Sequence, residues 1–185
     1  MSPEPHYFFA LWPSADQAQA LAGRALLQNG RMGIRVSAPE DCHLTLAFLG
    51  ALDAAQRERV LSLAGRIRAQ GFTLRLDRLG GFPRSRILCL APSRVPERLL
   101  TLVDRLGDAL RDEGCAARPL PVFRPHLTLA RGVSPPPGPL PVGPIEWHVR
   151  DFCLACSRPG PPYEIVARWK LSPTAPDLPG GEEGD

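Results

Sequence analysis

His43-Leu-Thr-Leu-Ala47 and His126-Leu-Thr-Leu-Ala130 are the same pentapeptide, written twice with starts 83 positions apart. Only four histidines occur in the chain. A shared continuation of four residues after two of them arises by chance in roughly one of several thousand chains of ordinary composition. Internal duplication is the simpler origin. Both copies carry the period of a β-strand, in which alternate side chains point to opposite faces. Leu44 and Leu46 therefore face a core while His43 and Thr45 share the other face, and His126 and Thr128 repeat the arrangement. Each half presents an imidazole and a hydroxyl about 6–7 Å apart along its strand. Two such strands laid side by side about a pseudo-twofold bring two imidazoles and two hydroxyls to one cleft.

That set of groups suits phosphoester hydrolysis. A neutral imidazole takes a proton from water, and an imidazolium gives one to a departing alkoxide. Threonine hydroxyls donate to the non-bridging oxygens, where negative charge grows. Arg131 follows the second copy directly and adds a charge-assisted contact. A single His-x-Thr on a strand is usually structural; the identical pair is what turns the reading to catalysis. Metal binding is the other chemistry open to histidine. Neither copy brings a carboxylate or cysteine at ligand spacing on the same face, so no metal and no cofactor is expected.

Outward from the pair, His6–Trp12 predicts a strand stopped by Pro13, and Ser14 caps a helix to about Asn29, with Gly30 as its stop. Asp53 starts a second helix with Val60, Leu61, Ala64 and Ile67 on one face. Strands Phe72–Leu79 and Arg86–Leu90 flank the turn Gly80–Ser85. Pro96 opens a helix to about Glu113 with Leu99, Leu100, Val103, Leu106 and Leu110 at helical spacing. Val133–Pro144 holds six prolines and predicts an irregular surface loop. The last strands are Trp147–Cys156 and Tyr163–Leu171. Strand hairpins interrupted by helices, without regular βαβ alternation, predict an α+β fold with antiparallel sheets.

The chain has 185 residues and a net charge of +3, and fits one domain over residues 1–171. The segment Ser172–Asp185 carries four acids and no base and predicts a disordered tail. The body is moderately basic, as suits an anionic ligand. No apolar run is long enough to span a membrane, and the N-terminus lacks a signal-peptide pattern. The five cysteines sit among apolar neighbours, which points to reduced thiols and a cytoplasmic location. Cys153 and Cys156 fall on opposite faces of a strand, so their spacing does not make a metal or redox motif.

Paired His-x-Thr motifs resemble the two-histidine (2H) phosphoesterase superfamily. The match is nearest to its bacterial and archaeal RNA 2′,3′-cyclic phosphodiesterase branch, the LigT-like proteins once described as 2′-5′ RNA ligases. The resemblance covers Phe8-Phe-Ala-Leu-Trp-Pro13, His43-Leu-Thr-Leu-Ala-Phe-Leu-Gly50, Gly81-Phe-Pro83, Pro125–Arg131, and Ser157 through Tyr163 to Trp169. It implies a bilobal fold of two pseudo-symmetric antiparallel sheets with helices outside and a central groove. It further implies metal-free hydrolysis of an RNA terminal 2′,3′-cyclic phosphate to a 2′-phosphate, with reverse 2′-5′ ligation as a secondary reaction. By the same resemblance His43 is the proton donor, His126 the acceptor, and Thr45, Thr128 and Arg131 hold the phosphate.

Phe82, in its glycine-rich turn, and Tyr163 are the candidates for stacking on a base, while Phe48 is expected in the core. The expected partner is RNA with a terminal cyclic phosphate, bound by a monomer. Two other functions fit the motifs: a phosphodiesterase acting on small 2′,3′-cyclic nucleotides, and a module that binds RNA ends without turnover.

Overall fold

Tyr7, Phe9 and Leu11 are buried on one side of β1 (His6–Leu11), and Phe8 and Ala10 on the other. A strand apolar on both faces belongs inside a sheet, and β1 is flanked by β3 (Leu44–Ala51) and β8 (Asp151–Ser157). The computed structural model describes residues 4–27, 35–115, 123–133, 136, 138–158 and 162–173. The remaining strands are β2 (Arg35–Val36), β4 (Phe72–Phe82), β5 (Ile87–Ala91), β6 (Leu127–Arg131), β7 (Leu140–Val149) and β9 (Glu164–Lys170). All pairings between these strands are antiparallel. With three helices the class is α+β, as expected from the order of elements.

The sheet runs β7-β4-β5-β6-β3-β1-β8-β9, with β2 paired to β6. Two sheets were expected; hydrogen bonding joins the strands into one. The join is narrow, because β3 and β6 meet at a single residue pair, Leu44 with Leu127. On either side lie four strands in mirrored order, each set beginning with a His-Leu-Thr-Leu strand.

The helices α1 (Ala15–Leu27), α2 (Ala54–Arg66) and α3 (Glu97–Asp112) pack on the face that holds the main core. At the start of α1 the Ser14 hydroxyl accepts from the Gln17 N–H, and the Gln17 side chain accepts from the Ser14 N–H. Asp53 and Gln56 make the same reciprocal cap on α2, satisfying donors that a helix start otherwise leaves open. Helix α1 touches β6 and α3 touches β3, so each half of the sheet is backed partly by a helix that follows a strand of the other half.

Several expectations need correction. Leu100 is 41% exposed, and Leu102 takes the buried position on α3. The proline-rich segment is regular from Leu140, where Pro141 and Pro144 lie in β7; as an outer strand of the sheet, β7 tolerates missing donors. Trp147–Cys156 is two strands at opposite ends of the sheet, broken at Arg150. Strand β4 continues through Gly80 and Gly81 to Phe82, leaving a shorter turn. Ser172 is not free: its N–H donates to the Ala69 carbonyl at 2.9 Å, and its own carbonyl accepts from Gly71 at 2.9 Å. Gly30 and residues 174–185 lie outside the described residues. The two sulfurs of Cys153 and Cys156 do go to opposite faces, Cys156 to the main core and Cys153 to the smaller cluster.

Candidate active site

Leu44 and Leu127 face each other across β3 and β6. Continued one step either way, that antiparallel register sets His43 beside Thr128 and Thr45 beside His126, with all four side chains on one face. The leucines between them are buried, while His43, Thr45, His126 and Thr128 are half-buried on the other face. In a regular ladder the diagonal from one histidine to the other is about 7–8 Å.

Both rings are fixed in the same way. The Nδ1 of His43 lies 2.7 Å from the carbonyl oxygen of Asp41, and the Nδ1 of His126 lies 2.8 Å from that of Arg124. A carbonyl only accepts, so each Nδ1 carries a hydrogen and each Nε2 is left for proton exchange. In both cases the acceptor sits two residues before the histidine. Sequence reading missed this pair of supports, because a main-chain carbonyl has no side-chain signature.

The surroundings break the symmetry. Trp12 stacks on His43 with ring centres 4.9 Å apart and planes 17° from parallel, while Phe8 and Tyr163 each approach at 5.0 Å. The indole N–H of Trp12 donates to the Glu40 carbonyl at 3.0 Å, and the Asp41 carboxylate accepts from the Tyr163 N–H at 3.0 Å. The short 3-10 turn Pro39–Asp41 is thereby clamped from two sides, and it carries the carbonyl that holds His43. His126 has a single aromatic neighbour among the described residues, Phe82, edge-on at 4.8 Å. Burial pushes the His43 pKa below its ordinary value. The hydrogen bond to Asp41 opposes that shift, and the nearby charges of Arg131 and His126 reinforce it.

A cleft of about 390 Å³ opens beside His43. His43, Thr128, Arg131 and Tyr163 line it, together with Ser157 and Arg158. Thr45 and His126 stand outside its lining, on the far side of the Leu44–Leu127 pair. Ser157 and Arg158 were not singled out as site residues in the sequence; their place follows from β8 ending next to the cleft. Phe82 and Tyr163 lean on the two imidazoles, and Phe48 lies on the surface, 70% exposed, contrary to expectation. Among the described residues, no three His, Cys, Asp or Glu side chains gather as a metal site, and no helix is long and apolar enough to cross a membrane.

Known proteins resemble this chain in sequence and in fold. Residues 11–89 match the model of the LigT like Phosphoesterase family. The RNA 2′,3′-cyclic phosphodiesterase of Escherichia coli (strain K12) is 36% identical over 183 residues, spanning 93% of this chain and 99% of that protein. The protein of the same name from Thermus thermophilus is 30% identical over 181 residues, with 89% of each chain covered. The crystal structure of E. coli LigT complexed with 3′-AMP superposes with a TM-score of 0.80 at 34% identity, covering 91% of this chain and 99% of the other. This chain belongs to the LigT-like phosphoesterase family.

Proposed function

We propose that the chain hydrolyses the 2′,3′-cyclic phosphate at the end of an RNA, leaving a 2′-phosphate, by metal-free acid–base catalysis between two histidines. The observation that carries the reading is the pair of imidazoles on adjacent strands, each tied at Nδ1 to a carbonyl and each without a hydrogen bond at Nε2 among the described residues. The activity named for the E. coli and T. thermophilus relatives supports the substrate.

In the reaction, His126 takes a proton from water as its oxygen bonds to phosphorus. The bond from phosphorus to O3′ breaks, and His43 delivers its proton to that oxygen. Thr45 and Thr128 donate to the non-bridging oxygens, and Arg131, at the cleft, offsets their charge. Neutral His43 in the empty site is no obstacle, because a bound phosphate anion favours the charged ring. A ribose 5′-hydroxyl in place of water gives 2′-5′ joining as a minor reaction: His126 takes its proton as O5′ bonds to phosphorus, the bond from phosphorus to O3′ breaks, and His43 protonates O3′. Tyr163 offers the cleft an aromatic surface for the terminal base.

Residues 1–171 act in this reading as one unit of two duplicated lobes, monomeric and working in a reducing cytoplasm. The mirrored strand order supports the duplication. All five cysteines are buried and unpaired, and burial holds the Cys42 and Cys89 thiols up at about 11.

The test is an RNA ending in a cyclic phosphate, with the product resolved as 2′- or 3′-phosphate. A 2′-phosphate that forms undiminished in chelator is expected; loss in chelator with rescue by a metal ion removes the metal-free mechanism. His43→Ala and His126→Ala should each slow turnover by roughly 10²–10⁴-fold, and full activity in both variants removes the histidine mechanism.

A further inference from the structure

Strict alternation from Leu44 would carry Phe48 into the core with Leu46. The pairing of β1 with β3 shows why it does not. Phe8 lies opposite Phe48 and Ala10 opposite Thr45, while Leu46 and Leu49 are extra residues without a partner on β1. Two bulges in four residues keep Leu46, Ala47 and Leu49 buried and return Phe48 to the face of Thr45. Such bulges re-aim side chains. Phe48 is the most exposed large apolar side chain among the described residues and the only aromatic one; the others are Leu100, Leu140 and Val166. Its ring sits 5.9 Å from Phe8, which in turn lies 5.0 Å from His43. An aromatic ring held in solvent on the catalytic strand, one ring away from a catalytic imidazole, has a free face to offer.

We infer that Phe48 is a stacking platform for the nucleobase just upstream of the terminal, cyclic-phosphate-bearing nucleotide, and so favours oligonucleotides over mononucleotides. The inference rests on the proposed activity and extends it. The cleft beside His43 has the volume for about one nucleotide, and Phe48 is not part of its lining. The inferred course of the strand runs from that cleft over Phe8 to Phe48, along the two ring contacts that link His43 to Phe48. Stacking on an aromatic ring accepts any base, because every base has a π-face. A mononucleotide has no second base to place there.

The experiment compares a nucleoside 2′,3′-cyclic phosphate with a trinucleotide RNA ending in the same group. The wild type should show a higher kcat/KM on the trinucleotide. Phe48→Ala should lower the trinucleotide value roughly tenfold and leave the mononucleotide value in place. Phe48→Trp should keep the advantage and Phe48→Leu should lose it, since an apolar contact without a ring is not stacking. If the wild type opens neither substrate, the proposed activity itself fails. If it opens both and Phe48→Ala keeps the trinucleotide advantage, or reduces both values equally, the platform is wrong. A Phe48→Ala variant that changes only the sedimentation behaviour of the protein would show instead that the ring meets a second copy of the chain, and would also overturn the inference.

Discussion

His43 works under two opposed influences, and pH separates them. Burial and the nearby positive charges favour its neutral form in the empty site, whereas its proposed task requires the charged form. In the free enzyme the proton is therefore lost at a lower pH than from an ordinary histidine, about 6.5. A bound phosphate anion restores it. The alkaline limb of kcat/KM, which reports the free enzyme, should fall below the alkaline limb of kcat, which reports the complex. Coincident limbs, or the reverse order, would remove His43 as the donor. Stability follows the same sign. Below about 6.5 the unfolded chain binds a proton at His43 that the folded chain resists, so folding weakens as pH falls through that range. His43→Asn should flatten the dependence in denaturant titrations at pH 5 and pH 8.

Trp12 belongs to the same scale. Its stack on His43 and its bond to Glu40 hold both the ring and the turn behind it. Trp12→Leu should lower kcat by roughly ten- to a hundredfold, as small misplacements of a catalytic group do, with less change in KM. Trp12→Phe, which keeps a ring, should recover part of the loss. Equal kcat in Trp12→Leu and wild type would show that the stack does no positioning. The histidines and threonines of this site were legible as residues because they repeat. Trp12 and Arg158 were not, because each reaches the site from a different part of the chain, and Asp41 was not, because it holds His43 through a main-chain carbonyl.

At the scale of elements, the β4–β5 hairpin sets Phe82 against His126. Gly81, next to Phe82, lets the hairpin pack closely: a Cβ there would run into the Ile87 carbonyl and the Pro136 ring. Gly81→Ala should force the hairpin open, lower the melting temperature and slow turnover, whereas Gly23→Ala, with open space at its Cβ, should do neither. Unchanged melting and turnover in Gly81→Ala would contradict the packing. Helix starts were readable from Ser14 and Asp53, since capping is local chemistry. Strand limits near Gly80, Leu140 and Arg150 were not. A proline or glycine in a strand is tolerated or not according to what lies beside it, and the neighbours of β4 and β7 are distant in sequence.

The whole molecule is held together by more than the single residue pair between β3 and β6. Helix α3 packs behind β3 and α1 behind β6, which couples the halves through their backs. Leu106, fully buried on α3, should on truncation to alanine cost about 2–5 kcal/mol, with the entire chain still melting in one transition. Two separated transitions would mean that the halves fold independently. The mirrored order of strands makes the cleft, and the cleft is where residues from both duplicated motifs meet.

Taken alone, the sequence determined the α+β class, the two strands that carry the repeated motif and the face on which their histidines and threonines stand. Those features depend on short-range periodicity and on a repeat, which a linear chain displays openly. Tertiary structure decided that the strands form one sheet, that Phe48 turns outward and that His43 rather than His126 is caged by aromatic rings. Each of these depends on register and bulges between strands far apart in the chain, where a shift of one residue moves a side chain to the opposite face.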